Sequence, residues 1–149
     1  MAHTKVYSAK KYIMTFGEVD MTKEKAKESF LTITKRGDAV IEAEEDLDHN
    51  STIYMTGGNS FDIKYTCPRS SIVNDELSVI LQTALIAGDP RLAVRALNIK
   101  DPNGSSSHFS GNCVLSNWPE EDLSEKPNTR SWMLIATDME NFFGGSDKI

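Results

Sequence analysis

Several things are scarce in this chain, and each scarcity removes a class of protein. There are two cysteines in 149 residues, Cys67 and Cys113. They sit in separate strand-like segments, which argues against a small disulfide scaffold and favours free, buried thiols in a reducing compartment. There are three histidines, His3, His49 and His108, and they are scattered. Zinc needs three or four His, Cys or carboxylate ligands at suitable spacing, and that spacing is missing. No apolar run approaches the ~18 residues that a membrane-spanning helix requires, and the opening MAHTKVYSAKKYIMTF has no apolar core of a secretory signal. No glycine-rich loop is followed by Lys-Ser/Thr to cradle a phosphate. No nucleophile elbow frames a serine, although GSSSHFSG (104–111) places serines beside His108. Internal repeats and low-complexity tracts are also missing.

What is present describes one ordered domain spanning 1–149, with a polar N-terminal segment (about 1–10) and a C-terminal tail (about 140–149). Hydrophobic content is 39% and charged content 26%, and the net charge of −6 is unevenly spread. Residues 1–37 carry eight Lys/Arg against four Asp/Glu, whereas residues 38–73 carry two against seven. A basic head and an acidic remainder permit head-to-tail contact between copies, while the acidic total argues against a nucleic-acid binder.

One stretch has a clear helical period, NDELSVILQTALIAG (74–88). Asn74 is placed to cap it, and Asp75 and Glu76 suit the positive end of its dipole. Leu77, Ile80, Leu81, Ala84 and Leu85 fall on one face as the helix core, and Gly88 is a natural stop. Nearly everything else alternates with period two. Strands are expected at 12–16, 30–34 and 39–44, the last two joined by a hairpin turn at Arg36-Gly37-Asp38. That turn spells a cell-adhesion tripeptide, which the turn itself explains. Further strands are expected at 51–56 and 61–67, at 91–100 with Leu92, Val94 and Ala96 on one face, and around Phe109, Gly111, Cys113 and Leu115. Residues 118–129 form a long polar excursion. In the last strand, 130–139, Trp132, Leu134 and Ala136 face one way and Met133 and Ile135 the other, which marks a central or covered strand. Seven or eight antiparallel strands with one helix, about 74–87, inserted after roughly the fifth make a mainly β fold: two packed antiparallel sheets, a β-sandwich or split barrel, with one flanking α-helix.

Asp46-Leu47-Asp48-His49-Asn50 matches the first five positions of a calcium-binding EF-hand loop. The sixth position is Ser51 instead of glycine and the twelfth is Gly57 instead of glutamate, so the bidentate ligand is missing. No cofactor, metal or catalytic residue is implied. Open strand edges in so small a domain either need protection or exist to be paired, and assembly is the natural hypothesis.

Read together, the segments resemble the tail tube proteins of contractile-tailed bacteriophages. The resemblance lies in an order of features: a first strand ending Phe16-Gly17, a Thr-rich second strand and an acidic third. FDIKYTCPRSSIVNDEL follows, then a strand with an Asn-Gly turn, a loop rich in Glu, Lys and Pro, and the closing SWMLIATDMENFFGG. It spans nearly the whole chain, and residues 45–58 fit it least well. It implies six copies joined into a ring, rings stacked into a tube, and passage of double-stranded DNA without specific binding and without catalysis. The implied partners are copies of itself, a tail sheath protein, a tape-measure protein, and baseplate and tail terminator proteins, with no membrane. The implied location is the virion tail, reached by assembly in the host cytoplasm. Glu42 and Glu44, two apart on one strand, are the candidate lumen-facing residues; Asp46, Asp48, His49 and Asn50 are the candidate ring-stacking loop. Rival readings are the tube of a bacteriocin or type VI-like secretion machine, and a monomeric β-barrel holding a small ligand.

Overall fold

The structure, a computed structural model, describes residues 11–22, 30–102, 104–126 and 128–145. The N-terminal segment 1–10 and most of the charged connector before residue 30 lie outside the described residues. Ten strands are described: β1 (Ile13–Phe16), β2 (Val19–Asp20), β3 (Leu31–Lys35), β4 (Ile41–Glu45), β5 (Ser51–Met55), β6 (Phe61–Pro68), β7 (Val94–Lys100), β8 (Ser107–Asn117), β9 (Thr129–Thr137) and β10 (Glu140–Phe142). Helix α1 (Ile72–Ala87) and a 3-10 turn (Pro90–Ala93) separate β6 from β7. The fold is mainly β, with two antiparallel sheets and one helix, as the alternating apolar residues require. The helix follows the sixth strand because the short β2 carries too few residues to show a period.

The larger sheet has the order β2-β1-β7-β8-β9-β6-β3, with β10 also on β8. Its ends are drawn together. On β6 the buried Tyr65 hydroxyl donates to the carbonyl of Met21, just beyond β2, at 3.1 Å. The enclosed space is filled by Met14, Phe16, Ile63, Tyr65, Leu97, Ile99, Leu115, Trp132 and Leu134, and α1 adds Val73 and Leu77. β9 lies between β8 and β6, which agrees with its apolar residues on both faces.

The smaller sheet is a two-stranded ribbon, β4 with β5. This corrects the expected hairpin at Arg36-Gly37-Asp38. β3 pairs with β6 instead, Lys35 opposite Phe61 and Leu31 opposite Tyr65. Residues 36–40 therefore carry the chain out of the large sheet into the ribbon. A turn signal reports that the chain bends; it does not say which edge the next strand will find.

Two further expectations change at β-bulges. Along β7 and β8 the pairing passes from Arg95↔Cys113 to Leu97↔Ser110, two residues on one strand against three on the other. An extra residue at Gly111-Asn112 exchanges the faces of β8, because side chains alternate with period two. Cys113 and Leu115 are buried as expected, but Phe109 and Gly111 are exposed, and His108 and Ser110 take the inward positions. On β7 the inward residues are Leu97 and Ile99, with Ala93 before them; Leu92 and Ala96 are exposed and Val94 half-buried.

The helix begins two residues earlier than its period suggested. Ser71, not Asn74, is the N-cap, and its hydroxyl accepts from the Val73 N–H at 3.2 Å. Gly88 closes the helix in the left-handed region (φ 66°), with its N–H directed to Ala84 and Leu85 carbonyls. Val73, Leu77, Ile80, Leu81 and Ala84 are buried, but Leu85 is 58% exposed. Leu85 lies about 80° around the helix from Leu77 at 3.6 residues per turn, outside the arc that meets the sheet. Part of the expected tail is also strand. Glu140 pairs with Phe109 and Phe142 with Ser107, so β10 continues the β9–β8 ladder beyond a break at Asp138 and Met139.

Candidate assembly surface

The ribbon stands apart from the other described strands and the helix. Residues 51–55 are all exposed, and Ile53 is 73% accessible. An isolated two-stranded ribbon is at best marginal in water. Cross-strand partners share a face. Glu42 lies opposite Tyr54, and Glu44 opposite Thr52. That face is polar and acidic, and the Tyr54 hydroxyl donates to the Glu42 carboxylate at 2.9 Å. The other face carries Ile41 opposite Met55, Ala43 opposite Ile53, and Glu45 opposite Ser51. It is an exposed apolar strip with one carboxylate at its outer end.

The ribbon tip holds the four residues proposed for stacking. Asp46 staples it: one carboxylate oxygen accepts from the backbone N–H of Asp48 and of Asn50, each at 2.9 Å, and the other from the Asn50 amide at 3.3 Å. These donors, the Asn50 N–H foremost, hold the Asp46 carboxyl below its usual range. His49 is in the left-handed region (φ 63°), and its Nδ1 lies 2.9 Å from a Glu45 oxygen. The EF-hand-like carboxylate is thus spent on its own turn. Among the described residues no cluster of three or more His, Cys, Asp or Glu is arranged to hold a metal.

At its base the ribbon is tied to the sheet. Arg36 donates its N–H to the Ser60 carbonyl and its guanidinium pairs with Asp62 at 3.2 Å. The Asn59 side chain donates to the Met139 carbonyl at 2.8 Å, and Met139 returns its N–H to the Asn59 carbonyl. The foot of the ribbon therefore abuts the break between β9 and β10. The C-terminal end is strapped down as well. Ser106 donates its hydroxyl to the Gly144 carbonyl at 2.9 Å, and the Ser105 N–H reaches the Gly145 carbonyl at 2.8 Å. A Cβ on Gly144 would collide with the Ser105 side chain, so glycine is required at this close approach.

The Ser-His tract has a structural use too. His108 is buried, its Nδ1 sits 2.8 Å from the Asn141 side-chain oxygen, and its ring meets Phe143 edge-on at 4.6 Å. Ser110 donates to the Thr137 carbonyl at 2.7 Å. In the polar excursion after β8, Glu121 takes both Arg69 at 2.5 Å and Arg130 at 2.6 Å. Neither cysteine is in a disulfide, and both are buried. Sequence reasoning missed Asn74 as a buried hub and missed the C-terminal strap. Ser71 ahead of an apolar run was a readable cap signal, but the strap carries only Gly-Gly, which has many meanings.

No protein-family model matches the chain, and no curated protein matches it. Solved structures do. One chain belongs to the cap that terminates the tube of an anti-feeding prophage, at 12% identity and TM-score 0.58 over 95% of this chain and 94% of that one. Another belongs to the sheath–tube complex of an extracellular contractile injection system, PVC, in its extended state, at 12% identity and TM-score 0.56 over 92% and 93%. At this identity the similarity is one of fold. The chain thus has a fold found among the components of contractile injection systems.

Proposed function

We propose that this protein is a tube subunit of a contractile tail, six copies forming a ring and rings stacking into a hollow conduit. The observation that carries the reading is the ribbon: acidic on one face, apolar on the other, and uncovered on both by the described residues. An apolar strip exposed this way is satisfied by another surface, and the fold relatives are parts of tube-forming particles. In a ring, the Glu42–Glu44 face turns to the lumen. Those carboxylates repel a DNA duplex over roughly 8–10 Å at physiological salt, so the genome slides without gripping the wall. The ribbon tip, Asp46 to Asn50, reaches the next ring. The outer surface meets a sheath protein, the lumen holds a tape-measure protein before ejection, and baseplate and terminator proteins close the two ends. The particle is a phage tail, assembled in the host cytoplasm and carried in the virion.

A second reading rests on the tube-terminating relative: a cap that ends the tube. A tube subunit offers a contact at both ends of its ring and propagates; a cap stops at one layer. Negative-stain microscopy of the purified protein at rising concentration separates them. Stacked rings of indefinite length support the tube, single rings support the cap, and a monomer at every concentration, with and without an initiating end complex, overturns both.

A further inference from the structure

The back of the large sheet, opposite the core, carries a second surface that the described residues leave uncovered. Direct cross-strand partners place Ile13, Lys100, Ser107 and Phe142 in one row across β1, β7, β8 and β10. The next row on the same face holds Thr15, Asn98, Phe109 and Glu140. Between them, on the opposite face, lie Met14, Ile99 and His108, all buried in the core. The outward face is therefore open: Ile13, Phe109 and Phe142 are exposed, Phe142 at 61%. Phe109 and Phe142 are diagonal neighbours, close enough for their rings to form one patch. The exposed Lys100 sits between Ile13 and that patch and enters none of the ion pairs among the described residues.

We propose that this face receives the β4–β5 ribbon of a second copy, apolar strip to aromatic patch, with Glu45 of the ribbon meeting Lys100. Two features select this occupant. The ribbon's apolar strip (Ile41, Ala43, Ile53, Met55) bears one carboxylate, Glu45, and the receiving face sets one cation, Lys100, in the row between Ile13 and Phe142, while its one carboxylate, Glu140, lies in the next row beyond Phe109. The ribbon is also acidic throughout, with Glu42, Glu44, Glu45, Asp46 and Asp48 against a single His49, so a face with a free lysine is favoured over the acidic flank of α1 at Asp75 and Glu76. The contact is heterologous: each copy offers a ribbon and a receiving face, so the arrangement closes into a ring or continues as a filament. It rests on the assembly reading above and names the surfaces that reading requires.

The test uses two variants of the full chain. Ile53→Asp spoils the ribbon and keeps the receiving face; Phe142→Asp spoils the face and keeps the ribbon. Both positions are solvent-exposed, and circular dichroism verifies that each variant folds. Analytical ultracentrifugation is expected to show each alone losing self-association by about thirtyfold or more, as for a central interface anchor. Mixed one to one, they are expected to form a heterodimer and nothing larger, since one intact ribbon then meets one intact face. Lys100→Glu is expected to weaken assembly and Glu45→Lys in the same chain to restore it, independently of the aromatic substitutions. Wild-type self-association that survives Phe142→Asp and Lys100→Glu unchanged overturns the docking face and leaves assembly standing. A wild-type chain that never associates overturns both.

Discussion

The indole N–H of Trp132 donates to the side-chain oxygen of Asn74 at 2.9 Å, joining the central strand β9 to the first turn of α1. The same oxygen accepts from the Cys67 thiol at 3.3 Å. The Asn74 amide donates to the carbonyls of Pro68, Arg69 and Ser71, at 3.0, 3.1 and 3.2 Å. One buried asparagine thus satisfies the β6–α1 turn, and the indole behind it, where the core would otherwise hold unpaired polar groups.

Asn74→Ala should therefore destabilise the fold by about 2–4 kcal/mol, since it strands several buried donors and acceptors at once. Urea unfolding measures this. A loss below about 0.5 kcal/mol would show that water replaces the side chain and that the hub is not structural.

Leu77 and Leu85 provide a matched pair on one helix, one fully buried and the other exposed. Leu77→Ala should cost about 2–5 kcal/mol and Leu85→Ala well under about 1 kcal/mol. Ser71→Ala should cost about 1 kcal/mol through loss of the cap. Equal costs for the two leucines in the isolated subunit would contradict the helix orientation described above.

Glu121 holds the 118–128 excursion to the sheet through Arg69 and Arg130. All three side chains are partly exposed, so Glu121→Ala should change global stability by less than about 1 kcal/mol. Hydrogen exchange within 118–128 should nevertheless accelerate, because a local tether is lost. Unchanged exchange in that segment would remove the tether.

Burial pushes the Cys113 thiol up to about 12. At pH above the unfolded-state value near 9, the native chain keeps a proton that the unfolded chain has released. Stability then falls as pH rises toward 12, by up to about 1.4 kcal/mol per pH unit from this group. Cys113→Ala should flatten that part of the profile. The native thiol should also resist alkylation at neutral pH until the chain unfolds; rapid labelling of folded protein at this position would contradict its environment.

Glu42→Lys with Glu44→Lys tests the proposed lumen-facing role of these two residues. Both side chains point away from the apolar strip, so assembled particles should persist while DNA delivery falls. Normal infectivity from such particles would place the wall elsewhere.

Alternation in the sequence determined most of the strands, because a half-buried strand must carry apolar groups at every second position wherever it lies. It determined the helix for the same reason at period 3.6, and it marked β9 as central through Met133 and Ile135. Pairing was not legible. Whether β3 meets β4 or β6 depends on residues far apart in the chain, and only folding brings those edges together. Facing was lost wherever a bulge intervened: one extra residue near Gly111 turns Phe109 outward and His108 inward, and no local pattern announces it. Glu42 and Glu44 were placed on one face by spacing alone. That the opposite face is a largely apolar strip ending in Glu45, and that a second face lies exposed across β1, β7, β8 and β10, follows from strand register, which the tertiary structure alone decides.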